Sequence, residues 1–206
     1  MTDENSKQRI IDAAWQVFVE KGYDGARMQE IADLAGINKA MIYYYYKSKD
    51  ELFEGIISDT FHRFFTGFFE MMDLKTTGVA EFIPAFVDAH IDFLAQNPNL
   101  PKLLVREIHG SNPAIQKVLH HFFSELITEL STKVLIKIDE AAKRGEIRPV
   151  DPMQTILNVL GLNIMFFTMR PVIDVFMEKF PISEAELLTR RKAAIKDLLL
   201  YGLLPR

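Results

Sequence analysis

The sequence predicts an all-α protein of about nine helices, and three observations carry that reading. Apolar residues recur at spacings of three, four and seven along nearly the whole chain, the repeat of helices that bury one face. No run of alternating β-branched residues bounded by hairpin turns interrupts the repeat. Glycine and proline then cut it into helix-length pieces: GYDG after Lys21, Gly36, residues 75–78, NPNLP at 97–101, GSNP at 110–113, GEIRPVDP at 145–152, Arg170-Pro171 and Pro181.

Composition removes several classes of function. Of 206 residues, 49% are hydrophobic, enough to bury a sizeable core. The absence of cysteine excludes disulfides, thiolate zinc sites and cysteine nucleophiles. The opening MTDENSKQR lacks the basic and then apolar run of a secretory signal, so a cytoplasmic protein is expected. Between Asp151 and Arg170 no charge appears, yet Gln154, Thr155, Asn158, Asn163 and Thr168 interrupt the stretch; a buried helix is expected there and not a membrane span. The net charge is -4, and the first fifty residues hold seven Lys/Arg against eight Asp/Glu, so bulk charge does not announce a polyanionic partner. Its distribution is more informative: from Leu34 to Lys49 there is no acidic residue, while Lys39, Lys47 and Lys49 stand among four tyrosines.

Three short helices fill the first 46 residues. The first presents Ile10, Ile11, Ala14, Trp15 and Phe18 on one face. The second, Met28 to Ala35, is expected to bury Ile31, Leu34 and Ala35, with Gly36 where a left-handed residue ends a helix and Asn38 as the N-cap of the third. Two short helices joined by a tight glycine turn have the geometry of a helix-turn-helix, whose second helix enters a DNA major groove. On that helix Lys39, Ala40, Tyr43, Tyr44 and Lys47 share one arc, and Met41, Ile42, Tyr45 and Tyr46 the opposite, packing one. Ala40 leaves room for base edges, and the Lys and Tyr groups donate to phosphates or bases. Ser48-Lys49-Asp50-Glu51 reads as a capping box that sets Lys49 at a helix N-terminus as a phosphate clamp.

The run MQEIADLAGINKAMIYYYYKSKDELF (28–53) resembles the signature of the TetR (tetracycline-repressor) family, with Ile31, Ala32, Ala35, Gly36, Tyr43, Lys49 and Leu52 at the patterned positions and Asn38-Lys39-Ala40 in place of the frequent Ser-Lys-Gly. The resemblance implies DNA contacts at Gln29, Asn38, Lys39, Ala40, Tyr43, Tyr44, Tyr45 and Lys49. Arg27 and Met28 stand where the family often has a capping Thr, leaving Arg27 to supply a phosphate contact. Tyr46 replaces the commoner Phe. It further implies a division at 1–48, a DNA-binding domain, and 49–206, a ligand-binding and dimerisation domain, in a homodimer on a double-stranded operator.

A fourth helix, Ser48 towards Met72, carries Phe53, Ile57, Phe61, Phe64, Phe65, Phe68, Phe69 and Met72, a stripe too wide for a solvent-facing helix. Helices at 81–96, 100–109 and 114–144 present Phe86, Phe93, Leu103, Leu104, Phe122, Phe123 and Leu126, enough apolar surface to wall a site for a small apolar or amphipathic effector. Phe166 is a further candidate, and His90, Arg106, Glu107 and His109 are the polar groups that would orient such a ligand. Each also has a plainer reading: a lone His is usually satisfied by its surroundings, and Arg106 pairs with a neighbouring carboxylate. The last helices, 152–169 and 183–200, are expected to form the dimer interface through Ile156, Leu160, Gly161, Ile164, Leu188, Ile195 and Leu199. Neither a cofactor motif nor a catalytic constellation is found, and adjacent His120-His121 point about 100° apart and do not chelate one ion easily. A helical small-molecule carrier without sequence-specific DNA binding is the rival reading.

Overall fold

A computed structural model describes residues 3–71, 78–110, 112–130 and 134–203, without the side chains of 3, 4, 61, 64, 65, 68–71, 114, 122, 126, 129, 130 and 203. The expected stripe at Phe61, Phe64, Phe65, Phe68, Phe69 and Met72, with Phe122 and Leu126, lies outside them. Among the described residues there are eleven helices: α1 Asp3–Gly25, α2 Met28–Ala35, α3 Lys39–Tyr45, α4 Lys49–Met71, α5 Val79–Gln96, α6 Leu100–Ile108, α7 Pro113–Leu130, α8 Ile136–Lys143, α9 Pro152–Thr168, α10 Arg170–Lys179 and α11 Glu184–Leu203. The all-α class is as the sequence predicts. Pro171, in the first turn of a helix, starts α10 where a connection was expected, and α7 and α8, along the span 114–144 expected as one helix, flank residues 131–133, which lie outside the described residues.

The chain packs as two compact units, Met1–Phe65 with Lys102–Glu125 and Thr66–Pro101 with Leu126–Arg206. In the first, Ile10, Ala14, Phe18, Ile31, Ile42, Leu52, Phe53 and Ile57 are fully buried. Phe53 meets Phe18 edge-on at 5.1 Å and Tyr23 at 5.5 Å between ring centroids, geometries that add to simple burial. Leu34, expected inside, is 49% exposed. It stands on the rim of the arc that Met28, Ile31, Ala32 and Ala35 bury.

In the second unit α5 buries Val79, Phe82, Ile83, Phe86, Val87, His90, Ile91 and Leu94. Asp151 caps α9 by accepting from the Gln154 N–H at 3.0 Å, with Pro152 in the first turn. The buried helix expected at 151–170 is amphipathic instead: Thr155, Ile156, Val159, Asn163 and Phe167 face inward, whereas Met153, Leu157 and Met165 are exposed. No single helix among the described residues is long and apolar enough to cross a membrane, and the charge-poor pair α9–α10 bends by 65°.

Candidate nucleic-acid interface

The turn between α2 and α3 follows from two residues. Gly36 adopts φ 62°, ψ 40°, the left-handed conformation that closes a helix, and the Ile37 N–H reaches back to the Ala32 carbonyl at 3.0 Å. An added Cβ at Gly36 would stand 2.5 Å from Arg9 Nη2, and that guanidinium donates to the Gly36 carbonyl at 3.2 Å. Asn38 Oδ1 then accepts from the Ala40 N–H at 2.9 Å, capping α3.

α3 sorts its side chains by phase. Ile42 is fully buried and Tyr46, at the C-cap, is 8% exposed. Burial, then Asp59 and Glu51, push the Tyr46 phenol upward and keep it neutral. Tyr43 and Tyr44 are 44% and 79% exposed, Lys39 Nζ sits 5.8 Å from the Tyr43 ring centroid, and Ala40 is exposed beside them. Met41, expected on the packing arc, is 40% exposed, being about 100° from Ile42. Tyr45 is half-buried, its ring edge-on to Tyr44 at 5.2 Å. The result is a cationic, aromatic strip of donors on a helix short enough to lie in a groove.

Around it, Arg27 is exposed in extended conformation and gives α2 no side-chain cap, as the missing Thr implied. Gln29 is exposed, its amide donating to Asp33 at 2.8 Å. The capping box forms, with Ser48 Oγ accepting from the Glu51 N–H at 3.1 Å and Glu51 accepting from the Lys47 N–H at 2.8 Å. Lys49 takes a role the sequence did not suggest. Its ammonium turns inward and donates to the Tyr23 and Ala26 carbonyls at 2.8 and 3.1 Å, over the Tyr23 ring. Burial lowers its pKa, opposed by Asp24 and Glu107. Two of its three protons therefore brace the start of α4 against the α1–α2 junction.

That junction is held by two adjacent residues of α6. Gly22 breaks α1 at φ 73°, and a Cβ there would meet Arg106 Nε at 3.0 Å. Before the break, Arg106 donates to the Phe18 carbonyl at 2.6 Å and the Val19 carbonyl at 3.4 Å, groups that a helix C-terminus leaves unpaired and that favour a cation. After the break, Glu107 Oε1 accepts from the Tyr23 N–H at 3.0 Å and from Arg106 Nε at 3.2 Å. Burial raises the Glu107 pKa, opposed by the Arg106 hydrogen bond and charge. Asn112 adds a bond to Asp24 at 2.7 Å.

The residues expected to line a ligand site thus divide between the units. Leu103 is buried in the first, Arg106 and Glu107 hold α1 there, exposed His109 bonds the Val105 carbonyl of its own helix at 2.7 Å, and Phe123 is half-buried. In the second unit Phe86 and His90 are brought together, ring centroids 5.7 Å apart, and half-buried Phe166 lies under the Arg191 guanidinium at 5.0 Å. Sequence reasoning missed Asn163, whose amide nitrogen lies 3.1 Å from His90 Nδ1. The available signal was its helical phase, four residues from buried Val159 and Phe167.

Of the expected dimer residues, Ile156, Ile195 and Leu199 are buried within the unit and Leu160, Ile164 and Leu188 are half-buried. Gly161 faces open space, with no atom within 4 Å of an added Cβ. The exposed ridge is Met153, Leu157, Gly161 and Met165, with Leu198 and Tyr201 on α11.

A capped, seven-residue helix presenting lysine and tyrosine after a left-handed glycine turn defines a helix-turn-helix DNA-binding protein. Residues 10–56 match the family model described as bacterial regulatory proteins, tetR family. Over those residues the chain carries the helix-turn-helix head of the TetR family of DNA-binding transcriptional regulators. Among curated relatives, the negative regulator IcaR of the biofilm operon icaADBC in Staphylococcus epidermidis is 30% identical over 120 residues, covering 55% of this chain and 65% of that protein. The transcriptional activator FasR of Mycolicibacterium smegmatis is 31% identical over 113 residues, covering 55% and 51%. Each match spans less than two thirds of the relative's own length. A solved structure of FadR from Bacillus subtilis, in complex with stearoyl-CoA, has the same fold at a TM-score of 0.72 and 22% identity, covering 95% of this chain and 98% of that one.

Proposed function

We propose that this regulator is a homodimeric repressor that binds a pseudo-palindromic operator and is released by a small amphipathic effector, an acyl-CoA being the first class to test. The observation that carries the DNA half is the exposed pair Tyr43 and Tyr44, with half-buried Lys39 beside them, on a helix capped by Asn38 and anchored by buried Ile42. Arg27, Gln29, Asn38, Lys39, Ala40, Tyr43, Tyr44 and Tyr45 are the proposed contacts. Lys49 contributes first by bracing α4 and has one proton left for a phosphate. Residues 1–48 are the reading domain and 49–206 the effector-binding and dimerisation domain in this proposal.

A two-fold reader needs two heads one helical turn apart, about 34 Å. Support for pairing is the exposure of the large side chains Met153, Leu157 and Met165 on α9, with Gly161 open between them, and of Leu198 and Tyr201 on α11, the two helices tied by Arg191 donating to the Leu162 carbonyl at 2.6 Å. Such surface is uncommon on a monomer. For the effector, support comes from the apolar buried face of α5 with its single polar pair, His90 and Asn163, and from the FadR fold being known with stearoyl-CoA bound. The effector weakens DNA binding only by its differential affinity for the two conformations, about 1 to 3 kcal/mol.

The test is a mobility-shift assay of the full chain on duplex from upstream of its own gene, with random competitor and then stearoyl-CoA. A sequence-selective shift that stearoyl-CoA reverses is expected. A chain that binds stearoyl-CoA but prefers no duplex is a carrier, and the proposal fails.

A further inference from the structure

Inside the second unit, α5 and α9 face each other with apolar side chains except at one place. Seven of the eight buried residues of α5 are apolar and the eighth is His90. Opposite it on α9 stands Asn163, with no exposed surface. Its Nδ2 lies 3.1 Å from His90 Nδ1; with the amide donating, the ring proton resides on Nε2. Burial drops the imidazole pKa to about 4, so the ring is neutral at physiological pH. The other buried polar residue of α9, Thr155, satisfies itself on the Asp151 carbonyl at 2.8 Å. Asn163 Oδ1 has no donor among the described residues.

A buried amide oxygen without a donor is destabilising, and an apolar residue of the same size would remove the penalty. An apolar wall with one oriented polar group is also how small-molecule sites fix their ligands. We infer that Asn163, held by His90, is the polar anchor of the effector site, and that its free Oδ1 takes a hydrogen bond from an amide N–H or hydroxyl of an amphipathic ligand whose apolar chain lies along the α5 face near Phe82 and Phe86. The inference rests on the effector half of the proposed function and names the ligand chemistry: a donor-bearing acyl compound, not a bare carboxylate, which offers only acceptors. Because Asn163 is fully enclosed, a ligand reaches Oδ1 only as α5 and α9 part. Occupied and empty forms of this unit therefore differ in conformation, as linkage to DNA requires.

The test measures, by calorimetry on the full chain, the affinities of stearoyl-CoA and stearoyl ethanolamide, which carry amide N–H groups, and of stearate, which carries none. Asn163→Leu is expected to weaken both donor-bearing probes about fivefold or more, the worth of one hydrogen bond, and to leave stearate unchanged. The double variant His90→Phe/Asn163→Leu, which leaves neither partner unpaired, is expected to fold and to show the same loss, which covers the case of an unstable single variant. Equal affinity of the variants and the native chain for the donor-bearing probes overturns the anchor, as does failure of both probes to bind the native chain. Operator binding in the same samples separates the two ideas: loss of all duplex preference sinks the regulator reading without altering the probe affinities.

Discussion

Each of the two units of this chain is held together internally by its own chemistry. In the first, charged and amide side chains reach backbone groups far away in sequence: Arg106 to Phe18, Glu107 to Tyr23 and Lys49 to Tyr23 and Ala26, at 2.6 to 3.1 Å. In the second, Arg191 reaches the Leu162 carbonyl at 2.6 Å, but among the described residues the other long-range polar contacts are mostly pairs of charged side chains, such as Lys192–Asp92 and Lys196–Asp88 at 2.6 and 2.9 Å, each worth about 1 kcal/mol or less, around an apolar core with one polar pair. Its outer helices show Leu157, Met165, Val175, Phe176, Phe180, Leu198 and Tyr201 at 50% exposure or more. Directional bonds fix one arrangement of a head that must present a rigid helix to DNA. Apolar packing is less directional, and the proposed function asks the second unit to repack around a ligand or a second copy.

The contrast is broken most severely at Arg106. Arg106→Ala leaves Glu107 buried without its cation and strips the Phe18 carbonyl of its donor, so denaturant melts are expected to show a loss of about 3 kcal/mol. A change under 1 kcal/mol would mean that the junction is not what holds the head. The second unit is probed by pH. With His90 held near 4 against an ordinary 6.5, the unfolded chain takes up a proton that the folded chain refuses. The stability is complete above pH 6.5 and is lost as pH falls towards 4, by about 2 kcal/mol at pH 5. Melts at pH 7.5 and 5 are expected to show this difference between the native chain and His90→Phe/Asn163→Leu. Asn38→Ala, which removes the α3 cap, is expected to destabilise by about 1 kcal/mol and to lower affinity for duplex DNA. Smallest in free energy is Lys39→Ala: the slope of log affinity against log salt should flatten by about 0.9, measured by anisotropy.

Much of the head was legible because local chemistry determines it. Gly36, Asn38 and Ser48 each act within four residues of themselves, so the turn, the cap and the capping box follow from spacing. Arg106 and Glu107 were noticed as candidates to orient a ligand, and the plainer reading of Arg106 beside a neighbouring carboxylate holds in its contact with Glu107, but nothing in a sequence says that residue 106 meets residue 18. Lys49 was placed at the correct helix end with its ammonium outward, whereas the carbonyls after the Gly22 break draw it inward. On α9 the apolar pattern gave the helix but not its facing: Ile156 turned out to be core and Leu157 surface, because nearly every position is apolar and phase alone carries no sign. His90 was a candidate, and its partner Asn163 is seventy-three residues away.

The central claim is that the exposed face of α3 reads duplex DNA, and Tyr44 tests it most directly, being 79% exposed. Tyr44→Ala should melt within about 0.5 kcal/mol of the native chain. Its affinity for the operator should fall towards that for random duplex, by about tenfold for a lost base contact. An operator preference equal to that of the native chain, at matched salt, would contradict the account.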